Sequence, residues 1–71
     1  MPNYIVNRNP QQGSGDHEVH DLDSKFDCLP AMSNRVPLGY HSNCADAVRA
    51  ARRHYSDSNG CAWCVPGCHT T

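Results

Sequence analysis

The chain is poor in what a self-sufficient core requires. Aromatic residues make up 7% of its 71 residues, with one Trp, one Phe and three Tyr. No stretch approaches the ~20 apolar residues of a membrane-spanning helix, which excludes such a span. The first twenty residues hold no apolar run of the secretory type, so an export signal is not expected and the cytoplasm is the expected compartment. Lysine occurs once, at position 25, and the formal net charge is −1. A balance this close to zero excludes bulk attraction to nucleic acid or to an anionic membrane.

A chain this short buries only about 60% of the surface its unfolded form exposes. The length fits one small domain over 1–71. Its large apolar residues are scattered, among them Tyr4, Ile5, Val6, Val19, Phe26, Val48 and Val65. A core of this size needs a covalent or metal staple.

Five cysteines and five histidines are present to supply one. In a reducing compartment clustered thiols read as metal ligands before disulfides, and an odd count leaves one thiol over from any full pairing. The densest cluster is Cys61-Ala62-Trp63-Cys64-Val65-Pro66-Gly67-Cys68-His69. Cys61 and Cys64 form a C-x-x-C pair behind the turn signal Ser58-Asn59-Gly60. Such a pair in a tight turn aims two sulfurs at one small volume, as half of a tetrahedral zinc site requires. The second half-site must come from among His20, Cys28, Cys44, Cys68 and His69.

Taken in order, Tyr4-Ile5-Val6 reads as a strand. His17-Glu18-Val19-His20-Asp21-Leu22 reads as a second, pairing with it as an antiparallel hairpin. Period-2 alternation puts His17 and Val19 on one face and His20 on the other. Residues 23–35 read as a structured loop anchored by Phe26, Cys28, Leu29 and Met32. Residues 36–40 read as an edge strand, because Pro37 has no N–H to give a central ladder. A helix is expected over residues 44–55, capped by Ser42 or Asn43, with Cys44, Val48, Ala51 and Tyr55 on one stripe. Cys44 is then either a small core hydrophobe or a thiolate favoured by the helix N-terminus. The expected class is α+β: two or three short antiparallel strands and one helix, stapled by zinc.

The order of features resembles the small Ada-type metal-binding module. The resemblance rests on Ile5-Val6-Asn7-Arg8-Asn9, His20, Cys28-Leu29-Pro30, Asn34-Arg35-Val36, the Ala-rich residues 45–55 and Cys61-Ala62-Trp63-Cys64. It covers most of the chain, and it implies a zinc site of His20, Cys28, Cys61 and Cys64. Two features depart from the family pattern. His20 and Cys28 are further apart, and Cys68 and His69 are additional, so Cys68, His69 or Cys44 stands as an alternative fourth ligand.

Other chemistries fit less well. His17-Glu18-Val19-His20 lacks the H-E-x-x-H spacing of zinc proteases, and its histidines read as surface groups. His41 and His54 read as solvated. A thioredoxin-like role would need Cys61 at a helix N-terminus, but Val65-Pro66-Gly67 breaks any helix there. No nucleophile–base pair is visible, so enzymatic activity is not expected. The expected function is a structural-zinc interaction module whose partner, protein or nucleic acid, is not specified by the sequence. Partner contact is assigned to Arg49, Arg53 and Trp63, although three arginines on a helix most simply form a solvated face and Trp63 most simply packs over the metal. Two further readings stand beside it: a thiol redox or metal-sensing protein, and a disulfide-stapled secreted mini-protein.

Overall fold

The β-branched and aromatic run at Tyr4-Ile5-Val6 forms the centre of a four-stranded sheet. The computed structural model describes residues 3–11, 13, 15–23 and 28–69. Phe26, expected as a loop anchor, lies outside the described residues together with Lys25 and Asp27. Strand β1 (Asn3–Asn7) pairs antiparallel with β2 (His17–Asp21) and, on its other side, with β3 (Arg35–Tyr40). A short fourth strand, β4 (Ser58–Gly60), pairs parallel with β2, giving the order β3-β1-β2-β4.

The hairpin and the edge position of β3 follow the sequence signals. Pro37 sits opposite Ile5 on the outermost strand, where its missing N–H leaves no gap in a central ladder. The β1–β3 register shifts between Tyr4 and Ile5, which leaves Leu38 unpaired as a bulge. Gly39 follows it with φ +83°, a left-handed conformation that glycine adopts without a Cβ clash.

Helix α1 (Cys44–Ala51) covers one face of the sheet. Its cap is Asn43, whose Oδ1 accepts the backbone N–H of Asp46 at 2.9 Å. The α-helix ends four residues short of the expected Tyr55. Arg53 and His54 donate to carbonyls three residues back, and this tighter winding closes the last turn. Ala47, Val48 and Ala51 face Tyr4, Val6, Val19 and Val65 in the core, with Cys44 and Tyr55 at its margin. Tyr55 stacks on the ring of His17 at 3.9 Å and 7°, and His17 Nδ1–H donates to the Asn7 carbonyl at 2.9 Å. His17 is therefore packed, not the surface group its polar strand suggests.

Several other expectations are corrected. Ser58-Asn59-Gly60 is a buried strand, not a turn. These small residues have local hydrogen bonds, Ser58 Oγ–H to the Tyr55 carbonyl and Gly60 N–H to Asn59 Oδ1. Their lack of bulk lets the following chain pack closely over them. Met32 is 80% exposed and anchors nothing, because it lies in a 3-10 turn (Met32–Asn34) that leads onto the outer strand. His41 is half-buried: its Nε2–H donates to the Leu38 carbonyl at 2.8 Å and its ring tilts against Tyr4. Cys44 and Cys68 form a disulfide that ties the first turn of α1 to a 3-10 turn (Pro66–Cys68) at the end of the chain.

Candidate metal centre

Alternation along β2 sends Val19 into the helix-side core and His20 to the opposite face, where Ile5 stands directly across from it on β1. Both are 2% exposed. A buried imidazole without a compensating anion loses hydration on protonation, so burial, with a smaller contribution from the positive charge of Arg35, lowers the His20 pKa to about 4. His20 is thus held neutral, the form that ligates a metal.

The knuckle is placed by β4. The Cys61 N–H continues the ladder past Gly60 by donating to the Val19 carbonyl at 2.9 Å. The Cys61 carbonyl accepts Val65 N–H at 2.9 Å, closing a turn around Ala62, Trp63 and Cys64. Cys61 is buried at 1% exposure, and Cys64 curls back towards the end of β2. Asp21 N–H donates to Cys64 Sγ at 3.4 Å, and His20 Nδ1 lies 3.5 Å from the same sulfur. Backbone N–H donors of this kind stabilise a thiolate and orient it.

Cys28 arrives from the loop before β3, and its sulfur lies within 4.8 Å of those of both Cys61 and Cys64. Its segment is held by Arg35, whose Nε–H donates to the Pro30 carbonyl at 2.8 Å. The ligand-type atoms of His20, Cys28, Cys61 and Cys64 all lie within 4.8 Å of one another. A tetrahedral zinc with Zn–S of about 2.3 Å and Zn–N of about 2.0–2.1 Å has S···N edges of about 3.6 Å and S···S edges of about 3.8 Å. The 3.5 Å between Cys64 Sγ and His20 Nδ1 fits such an edge. Burial pushes the Cys28 and Cys64 thiols up; Cys61 adds to the rise of both, while the Asp21 N–H opposes it at Cys64. Gathering these thiols as anions requires a cation among them, and the four residues lie close enough to hold a metal ion that would supply it.

The other candidate ligands are held elsewhere. Cys44 and Cys68 are spent on each other. His69 Nδ1–H donates to the Gly60 carbonyl at 2.9 Å, which fixes the end of the chain over β4. Trp63 does not pack over the cluster. It is 69% exposed, because the turn between two inward-facing cysteines points its middle residues out. Arg49, on α1, and Arg53, in the turn that follows it, are exposed and are not members of the four-residue cluster.

Two contributors to this centre carry no motif. Arg35 braces the Cys28 segment by a local bond, five residues back over the 3-10 turn to the Pro30 carbonyl. Gly60 is packed against backbone on its open side, so that a Cβ there would meet the Cys68 carbonyl carbon and oxygen at 2.9 Å. Its place immediately before C-x-x-C is the one local signal.

Among the described residues, no helix is long and apolar enough to cross a membrane. No family model, curated protein or solved structure matches the chain.

Proposed function

We propose that the chain is a structural-zinc interaction module, with Cys28, Cys61, Cys64 and His20 as the metal ligands. The observation that carries this is the convergence of three thiols and a neutral, buried imidazole from a loop, a knuckle and a strand onto one small volume. Thiolate-rich tetrahedral sets favour zinc over magnesium or calcium, which take oxygen ligands. Four protein ligands close the coordination shell and leave no position for a substrate or an activated water, so the role of the metal is structural and the module is not an enzyme. Three thiolates and one imidazole around a dication carry a net charge of −1, and nearby Arg35 offsets it. The resemblance to the Ada-type module enters at the same level: the arrangement supports a small metal-binding module of that general design.

The interaction role is supported by Trp63. A solvent-facing indole fixed between two ligands is a rigid aromatic anchor of the type that dominates protein interfaces and stacks on nucleobases. The test is native mass spectrometry of untagged protein with a free-thiol count. One bound zinc and a mass lower by the two hydrogens of a single disulfide are expected. A folded chain that takes up no metal would overturn the reading.

A second reading has one observation in its favour. The Cys44–Cys68 disulfide favours an oxidising compartment over the cytoplasm. There the same metal centre would sit in a secreted or envelope-facing mini-protein, and the thiol count from material isolated from its own compartment separates the two settings.

A further inference from the structure

The metal centre leaves one cavity unused. It has a volume of about 260 Å³ and is lined by His41, Asp46, Arg49, Ala50 and Arg53, on the flank of α1. Helical spacing brings Asp46, Arg49 and Arg53 to one side, three and four residues apart. Ala50 contributes only a methyl group, which keeps the space between the guanidinium groups open. His41 is preset as one wall, with its Nε2–H on the Leu38 carbonyl and its ring against Tyr4.

The charges in this cavity are unequal. Two guanidinium groups face one carboxylate. Arg49 pairs with Asp46 at 3.6 Å, with side chains 76% and 45% exposed. An exposed pair of this kind contributes little and yields readily to a stronger anion. Among the described residues, Arg53 forms no ion pair with a carboxylate. Guanidinium groups present planar forks of donors that match the oxygens of a phosphoryl group, and they bind it with charge-assisted hydrogen bonds.

We propose that this cavity binds a terminal phosphate group, as inorganic phosphate or a phosphomonoester, between Arg49 and Arg53 with His41 as the third wall. A nucleic-acid backbone is the less suitable occupant. Two or three cations neutralise too few phosphodiesters for firm binding. The chain also carries a net charge of −1, with Asp16, Glu18, Asp21 and Asp23 in one stretch that would repel a long polyanion. A terminal phosphate dianion needs only the local charge of the cavity. At about 260 Å³ the cavity falls below the ~300–1,000 Å³ of pockets that enclose drug-sized ligands, which restricts it to a small group such as phosphate. The site goes beyond the metal reading and does not depend on it.

The experiment is a titration of the isotope-labelled, metal-loaded chain with inorganic phosphate and with phenyl phosphate at constant ionic strength. Arginine side-chain and backbone resonances report binding, and metal content is measured on the same sample. Shifts centred on His41, Arg49 and Arg53 are expected. Arg53→Gln weakens binding about five- to tenfold. Arg52→Gln removes the same charge outside the cavity and changes binding less than twofold. Asp46→Asn removes the competing carboxylate and tightens binding two- to threefold. Equal effects of Arg53→Gln and Arg52→Gln would reduce the site to general charge and overturn the proposal. So would an absence of cavity shifts, or salt-steep binding of a short thymidine oligonucleotide with no response to either phosphate. Because metal content is read on the same sample, an absence of phosphate binding with the metal still bound overturns the cavity alone and leaves the metal reading intact.

Discussion

Replacing Gly60 with alanine tests how the end of the chain is fastened over β4. A Cβ at this position would lie 2.9 Å from both the carbonyl carbon and oxygen of Cys68 and 3.0 Å from the Val65 carbonyl oxygen. All three are backbone atoms, so no side-chain rotamer can relieve the contact. Nor is the opposing segment free to move. Cys68 is bonded to Cys44, His69 holds the Gly60 carbonyl, and Val65 is bonded to Cys61 across the knuckle turn. Overpacking of a fixed core costs typically 1–3 kcal/mol, and the upper part of that range, about 3 kcal/mol, applies here. For a domain of this size each kcal/mol moves Tm by about 4–8 °C, so a fall of roughly 12–24 °C is expected by calorimetry of the metal-loaded chain. Gly67→Ala is the matched control. Its nearest neighbour is Cys44 Sγ at 4.0 Å, an ordinary contact, so stability should hold or rise by about 0.4–1 kcal/mol through the unfolded state. If Gly60→Ala lowers Tm by less than about 4 °C, or no more than Gly67→Ala does, the close packing described here is wrong.

Cys61→Ser and Cys64→Ser should each lose stoichiometric metal and unfold the chain, since structural zinc contributes about 10–16 kcal/mol in small folds, and a far-ultraviolet spectrum with a metal assay decides it. A chelator should do the same reversibly to the parent protein. Metal uptake at pH 7.5 should release at least two protons, because the raised pKa values of Cys28 and Cys64 keep these thiols protonated before loading and neutral His20 has none to give. Calorimetry in buffers of different ionisation enthalpy counts them, and a value near zero would remove the thiols as ligands. The double variant Cys44→Ala, Cys68→Ala should lose about 3 kcal/mol, the loop term for a separation of 24 residues, while still binding one metal. Trp63→Ala should leave stability within about 0.5 kcal/mol, since the indole is exposed, and any partner lost on that change is a direct contact.

The strands and helix were legible where one local rule dominated. Val and Ile beside Tyr marked β1, Pro37 marked an edge, and Asn43 before an Ala-rich stripe marked the start of α1. The fourth strand was not legible. Ser58-Asn59-Gly60 has turn chemistry in isolation, and its β conformation comes from pairing with His17, Glu18 and Val19 some forty residues earlier. The C-x-x-C half of the cluster was visible from spacing. Its other half, His20 and Cys28, was implied by the resemblance: alternation along β2 sets the face of His20, and the local Arg35–Pro30 bond holds the Cys28 segment, but that the two meet the knuckle depends on tertiary pairing. The exposure of Trp63 was missed because a tryptophan between two cysteines suggests burial, whereas the knuckle turn points its middle residues outward. Cys44 and Cys68 carried no signal for each other, since they approach only once α1 and the last turn are docked.

The coexistence of one disulfide with three reduced thiols constrains how the molecule matures. Five thiols allow ten different first pairings, and nine of them consume at least one of Cys28, Cys61 and Cys64. An oxidant acting on the bare chain would therefore mostly produce dead ends that can no longer assemble the cluster. Once a metal holds those three sulfurs, Cys44 and Cys68 are the only thiols left to react. The order of events then becomes the safeguard, with metal first and oxidation second. Refolding yield should depend on which reagent is added first, even when the final mixture is the same.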